Sequence, residues 1–267
     1  MGSALDGANR TCRFGTSSAR SRGAGWLHSL RIGGARYRRG IGHRGAQSIS
    51  CPRDHLASSI REPRRGFFLQ FKESAIHDWL AKPAVQKRAL GLASGFQLWR
   101  EEHHGTNRDF PGVPYLLLHS LAHLFITAIA LECGYPASSI RERIYAIPDV
   151  GFGVLLYTGT SDAVGTLGGL VQVGRRIHES VRNALELGLL CSNDPVCAQH
   201  DPSSDHERRF LHGAACHGCL LISETSCEQQ NDFLDRALVV RTVQNLSAEF
   251  FPEIAAREGS TTLTSAV

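Results

Sequence analysis

No run of about 20 apolar residues, the length that spans a bilayer, crosses this 267-residue chain without a polar interruption. The most apolar stretch, Tyr115 to Leu131, is broken by His119, Ser120, His123 and Thr127. It reads as a buried helix, and no membrane partner is expected. The N-terminus also lacks the apolar core of a secretory leader, which makes a reducing cytoplasm the expected compartment. Lysine is absent from residues 1–66, where 13 Arg accompany 3 acids, whereas residues 67–267 carry 16 basic and 22 acidic side chains. The net charge of +4 therefore belongs to the first segment. The remainder, at −6, is poorly suited to direct contact with nucleic-acid phosphates.

Two catalytic signatures are incomplete. The stretch GTSDAVGTLGG, Gly159–Gly169, sits between an apparent strand and an apparent helix, the setting of a phosphate-binding loop. It has neither the Lys of G-x-x-x-x-G-K-[ST] nor the spacing of G-x-G-x-x-G, so a tight strand-to-helix connection explains it better than a nucleotide cradle. His119 and His123 lie four apart on one helix face. Ser120 stands where an H-E-x-x-H hydrolase has its general base, which favours a core or interface histidine pair. A metal-dependent hydrolase using this pair with a carboxylate such as Glu132, or a nucleotide-binding enzyme using the glycine loop, is the alternative reading.

What the chain does hold is cysteine. Five of its eight cysteines, Cys191, Cys197, Cys216, Cys219 and Cys227, fall within 37 residues. Cys216 and Cys219 form a C-x-x-C knuckle, a spacing that lets two thiolates reach one tetrahedral ion. Zinc is the expected occupant, held by four cysteines in a closed, structural site. Cys227 and either Cys191 or Cys197 are expected to complete it. His212 and His217 are weaker candidates, and Cys12, Cys51 and Cys133 are expected to be dispensable. Disulfides or inert core thiols are the competing readings, and the apparent lack of a secretory leader weighs against disulfides.

Residues 1–62 are rich in Gly, Ser and Arg, without a sustained period of 2 or 3.6, and are expected to be disordered or non-homologous to the rest. Order is expected from about residue 63 to 250, with 251–267 a frayed tail. GFFLQF, Gly66–Phe71, has the composition of a strand. Pro83 opens a helix whose apolar stripe is Val85, Ala89, Leu92, Phe96 and Trp99. Pro114 opens the next, and Gly134 closes it as a C-cap. SSIRERIY reads as a short capped helix with Glu142 in a capping box, and GVLLYT, Gly153–Thr158, as a buried strand. A helix is expected over Leu170–Leu190 and another over Glu228–Arg236, followed by a strand over Ala237–Val243. The fold class is α+β: helices packed on a small sheet, with a cysteine-rich zinc knuckle pinning the C-terminal loops.

The stretches YLLLHSLAHLFITAIALECGYPASSIRERIY, GVLLYTGTSDAVGTLGGLV, CSNDPVC and HGAACHGCLLISETSCEQQNDFLDR together resemble the MrfA-like zinc-binding domain family, as found in the C-terminal part of DrmB proteins of the DISARM anti-phage system. The resemblance spans about Gly66 to Val243. It implies zinc held by four cysteines, which carries over onto Cys216, Cys219, Cys227 and one of Cys191 or Cys197. It also implies no catalytic residue, a helicase partner (DrmA-like), and DNA engaged through the complex. DrmB proteins are much longer and residues 1–62 do not resemble their upstream part, so a truncated copy is expected.

Overall fold

Apolar surface on one long helix decides how the chain packs. The structure, a computed structural model, describes residues 12–14, 18–19, 27–37, 64–148, 150–159, 169–204 and 211–252. The first three segments are backbone strands β1 (Cys12–Phe14), β2 (Ser18–Ala19) and β3 (Leu27–Tyr37). There follow β4 (Arg64–Phe71), α1 (Glu73–Leu80), α2 (Pro83–Glu102) and α3 (Val113–Cys133). The chain continues through β5 (Ile140–Ile147), β6 (Gly151–Thr158), α4 (Gly169–Arg175), α5 (Ile177–Leu189) and the one-turn α6 (Val196–Gln199). The expected α+β class, helices on a small sheet, is what the structure shows.

The sheet runs β1-β3-β4-β6-β5, with β2 beside β3, and its pairs are antiparallel. β4 meets β6 with Phe67 opposite Leu156 and Leu69 opposite Val154. All four side chains are fully buried. The alternation of a half-buried sheet appears on β5 as well: Ile140, Glu142 and Ile144 point inward, and Arg141 and Arg143 point outward or to the rim. The expected helix over SSIRERIY is therefore a strand. A single 3₁₀ turn, Ala137–Ser139, precedes it, and Glu142 is a core-facing strand residue rather than a cap.

α3 lies across the sheet and fills the core. Its length and composition would allow it to cross a membrane, yet most of it is buried inside the protein. Leu116, Leu117, Leu118, Leu121, Leu124, Phe125, Ile126 and Ile129 are all out of solvent, each contributing about 1.5–3 kcal/mol of burial. Phe125 packs edge-on against Phe67 of β4 with centroids 6.3 Å apart. Pro114 occupies the first turn of α3, and Gly134 ends it in the left-handed region at φ 66°, where a side chain would be strained. α2 buries Val85, Leu92 and Phe96, with Ala89 and Trp99 half-buried beside them, so the expected stripe is the packing face.

Three further expectations differ from what is found. The helix expected over Leu170–Leu190 is broken at Arg176 into α4 and α5. Glu228–Val243 contains neither a helix nor a strand, only a 3₁₀ turn at Arg236–Leu238. Phe233 to Val240 are buried continuously rather than alternately. Their backbone groups pair with distant loops, as in Phe233 N to Leu211 O (2.8 Å) and Phe250 N to Leu238 O (2.8 Å). This is a buried loop with satisfied polar groups. Residues 160–168, on which the glycine-loop expectation falls, and those beyond 252, the expected frayed tail, lie outside the described residues.

Candidate metal centres

α5 ends at Leu189 and the chain turns at once into Cys191; α6 then carries Cys197. Opposite them, the backbone folds around Cys216, whose carbonyl accepts from the amides of Cys219 and Leu220, both at 3.0 Å. This turn points both knuckle sulfurs at Cys191 and Cys197. The Sγ–Sγ distances are 3.5 Å for Cys191–Cys216, 3.7 Å for Cys197–Cys219 and 3.7 Å for Cys216–Cys219. Disulfide sulfurs lie at roughly 2.05 Å, so these are free thiols. Four sulfurs at about 2.3 Å from a central zinc stand roughly 3.8 Å apart. The donor set and its spacing fit a tetrahedral zinc, and Gly218 N donates to Cys216 Sγ at 3.3 Å.

Protons are unevenly shared among these sulfurs. Contact with Cys197 outweighs burial and lowers the Cys219 thiol to about 6. The Cys197 thiol is pushed up by the same contact and by burial, and burial pushes Cys191 up to about 11. A divalent cation removes this competition, because a coordinating thiol is deprotonated outright. Arg236, fully buried, holds the frame: its Nη1 donates to Gly188 O at 3.1 Å, and its Nη2 lies 2.7 and 2.8 Å from the carboxylate oxygens of Asp194, between Cys191 and Cys197.

Cys227 stands in a second group. Its Sγ lies 3.2 Å from His119 Nε2, and His119 Nε2 and His123 Nε2 lie 2.9 and 3.2 Å from one oxygen of Glu142. Donor atoms of His119, His123, Glu142 and Cys227 all fall within 4.8 Å of one another, and all four residues are buried. α3 supplies both histidines from one face, β5 supplies Glu142, and the loop after the knuckle supplies Cys227. Burial alone would push Glu142 up and the imidazoles down. Their mutual attraction wins, holding Glu142 below the usual carboxylate range and both histidines above the usual imidazole range. Burial raises the Cys227 thiol, but hydrogen bonding to His119 and His123 outweighs it and leaves the thiol at about 7.

Of the five cysteines singled out in the sequence, the structure thus brings four together, and Cys227 joins the histidine pair. Glu132, the carboxylate suggested for that pair, is engaged elsewhere: it accepts from Arg176 at 3.0 Å and Ser180 at 3.4 Å. Sequence reasoning missed Glu142. The available signal was a carboxylate at an inward position of an alternating Ile-Arg-Glu-Arg-Ile run.

A domain with this donor set, an α+β layer pinned by a four-cysteine knuckle, belongs to the zinc-binding class. Residues 121–220 match the MrfA Zn-binding domain, a range that includes Cys191, Cys197, Cys216 and Cys219. The chain is 40% identical over 189 residues, 70% of its length, to the DISARM protein DrmB of Bacillus paralicheniformis. It spans 33% of that relative's length. The resemblance to this family and to DrmB is therefore borne out, and zinc is the cofactor that family and donor set define.

Proposed function

We propose that this chain is a zinc-stabilised, non-catalytic accessory domain of a DISARM-type anti-phage complex, working with a DNA helicase subunit (DrmA-like) in the cytoplasm. The observation that carries the reading is the four-cysteine cluster lying within the stretch, residues 121–220, that matches the MrfA Zn-binding domain, in a chain 40% identical over 189 residues to a DISARM protein DrmB. In this reading Cys191, Cys197, Cys216 and Cys219 hold a structural zinc, and residues 63–250 are the working unit. When bound, the zinc crosslinks the end of α5 and α6 to the knuckle turn. The chain's own residues supply the frame: Asp194 and Arg236 fix the first pair, and the Cys216 turn fixes the second.

DNA is engaged through the complex. Two of the basic residues at α5 are already paired, Arg176 with Glu132 (3.0 Å) and Glu179 (3.5 Å), and Arg182 with Glu186 (3.7 Å). Their charge is partly compensated within the protein, which weakens counterion release there. The buried His119–His123 group offers no open position for a substrate, which argues against a hydrolase.

The test is co-purification of this chain with a DISARM helicase subunit, alongside DNA titrations of each protein and of the pair at several salt concentrations. The proposal expects a complex, with salt-dependent DNA affinity in the helicase and the pair and a near-zero slope for this chain alone. A steep slope for the chain alone overturns the indirect contact, and failure to associate overturns the accessory role.

A further inference from the structure

We infer that His119, His123, Glu142 and Cys227 form a second, closed zinc site, separate from the cysteine knuckle and buried between α3, β5 and the loop that follows the knuckle. His119 Nδ1 lies 3.1 Å from Phe233 O, and His123 Nδ1 lies 2.8 Å from Leu220 O. A carbonyl can only accept, so each Nδ1 carries a proton. In neutral imidazoles both Nε2 atoms then present lone pairs to the same place. That arrangement, with the far nitrogen locked onto a backbone carbonyl, is the one metal-bound histidines adopt.

The remaining donors fit the same point. Both Nε2 atoms crowd a single oxygen, Glu142 Oε1, at 2.9 and 3.2 Å. Glu142 Oε2 is buried with no hydrogen-bond partner. A pair of imidazolium ions would gain by spreading over both oxygens; convergence on one oxygen suits a cation between the groups. Cys227 Sγ already accepts from Gln229 N at 3.3 Å and Asn231 N at 3.2 Å, contacts that favour a thiolate. One carboxylate, one thiolate and two neutral imidazoles balance a divalent ion to zero net charge, the arrangement least penalised in a buried site. Two imidazoles and a thiolate select a borderline-soft ion, and four donors complete a tetrahedron, so the ion is zinc in a structural role. It would clamp α3 to β5 and the Cys227 loop, much as the knuckle clamps α5 to its own turn.

X-ray absorption at the zinc edge, with elemental analysis of the full chain purified with zinc as the only added metal, tests this without any variant. The expected result is about two zinc per chain, with a mean shell of roughly 2.5 sulfur and 1.5 nitrogen or oxygen neighbours and the scattering signature of imidazole. A shell of sulfur alone, at any stoichiometry, overturns the site and leaves a proton-bridged His–Glu–Cys network. The His123→Ala variant adds a second reading. Imidazole scattering should fall and about one zinc should be lost; imidazole scattering that survives unchanged comes from other histidines and overturns the assignment. Should that variant fail to fold, the parent spectrum decides.

Discussion

Arg236 and Asp194 face each other inside the protein, the guanidinium fully out of solvent, with one of its nitrogens 2.7 and 2.8 Å from the two carboxylate oxygens. The pair joins the loop between Cys191 and Cys197 to the segment that follows the knuckle. Replacing Arg236 with Leu leaves Asp194 charged and nearly buried, and the loss is expected at about 3–5 kcal/mol. Asp194→Asn keeps one acceptor oxygen but leaves the fully buried guanidinium without its counter-charge, and is expected to cost a similar amount, about 3–5 kcal/mol. Chemical denaturation of the zinc-saturated proteins checks both. A loss below about 1 kcal/mol for Asp194→Asn would show that charge is not what the pair contributes.

The knuckle itself is expected to be indispensable. A structural zinc site contributes on the order of 10 kcal/mol of apparent folding free energy. Cys219→Ser should therefore release the metal from the four-cysteine cluster and open residues 191–240 to proteolysis. Cys133, at the end of α3 and outside both groups, serves as the control: Cys133→Ser should leave metal content unchanged. Limited proteolysis with metal analysis separates the two. An intact, protease-resistant Cys219→Ser variant would mean that packing alone holds this region.

How much of this was legible in the sequence depended on whether neighbours along the chain or across it did the work. α2 and α3 could be read because a 3.6-residue stripe, a Pro at each start and Gly134 at the end of α3 are local signals. β5 was misread because Ser138, Ser139 and Glu142 have capping-box spacing, while the deciding fact, a strand partner at β6, lies beyond the window. The C-x-x-C turn was local and therefore visible. The choice of its two partners was not: nearness in sequence pointed to Cys227 with one of Cys191 or Cys197. Topology separates them: the loop after Leu221 folds back onto α3 and carries Cys227 to His119, 108 residues away in sequence. The segment Ala237–Val243 looked like a strand because it is apolar. It is a loop: Ala237–Val240 are buried continuously, Arg241 and Val243 are exposed, and the carbonyls of Leu238 and Val239 accept from the amides of Phe250 and Phe251.

Gly213 is expected to tolerate no side chain. A Cβ there would stand 2.5 Å from Arg88 Nη2 and 2.6 Å from Asp235 Cγ. Arg88 can swing aside, but Asp235 cannot. Its carboxylate accepts from Arg88 Nε at 2.7 Å and from the amides of Ala214 and Ala237, both at 3.1 Å, and its own amide donates to Ser120 Oγ at 2.7 Å. Gly213→Ala should cost about 1–3 kcal/mol through this overpacking, read as a lower denaturation midpoint with an unchanged slope. Gly91, which has open space around its Cβ position, lies inside α2, and Gly91→Ala should stabilise by about 0.5–1 kcal/mol through helix propensity. A neutral Gly213→Ala would show that Asp235 is not fixed as its contacts imply.

Acid should remove zinc from the knuckle, and the direction follows from the thiols. A cysteine thiol keeps its proton up to about 8.5. In the cluster the Cys197–Cys219 contact lowers the Cys219 thiol and raises that of Cys197, and burial raises Cys191, so the shifts of the thiols themselves oppose one another. Zinc binding sets the sign, because the metal and the protons compete for the same sulfurs. The metal should therefore stay bound at about pH 7.5 and be released progressively as the pH drops below about 6, with thermal stability falling in step. A titration with a chromophoric zinc chelator, paired with thermal denaturation across that window, measures both. Release on raising the pH instead would reverse the sign and would mean that thiolate ligation does not hold the metal.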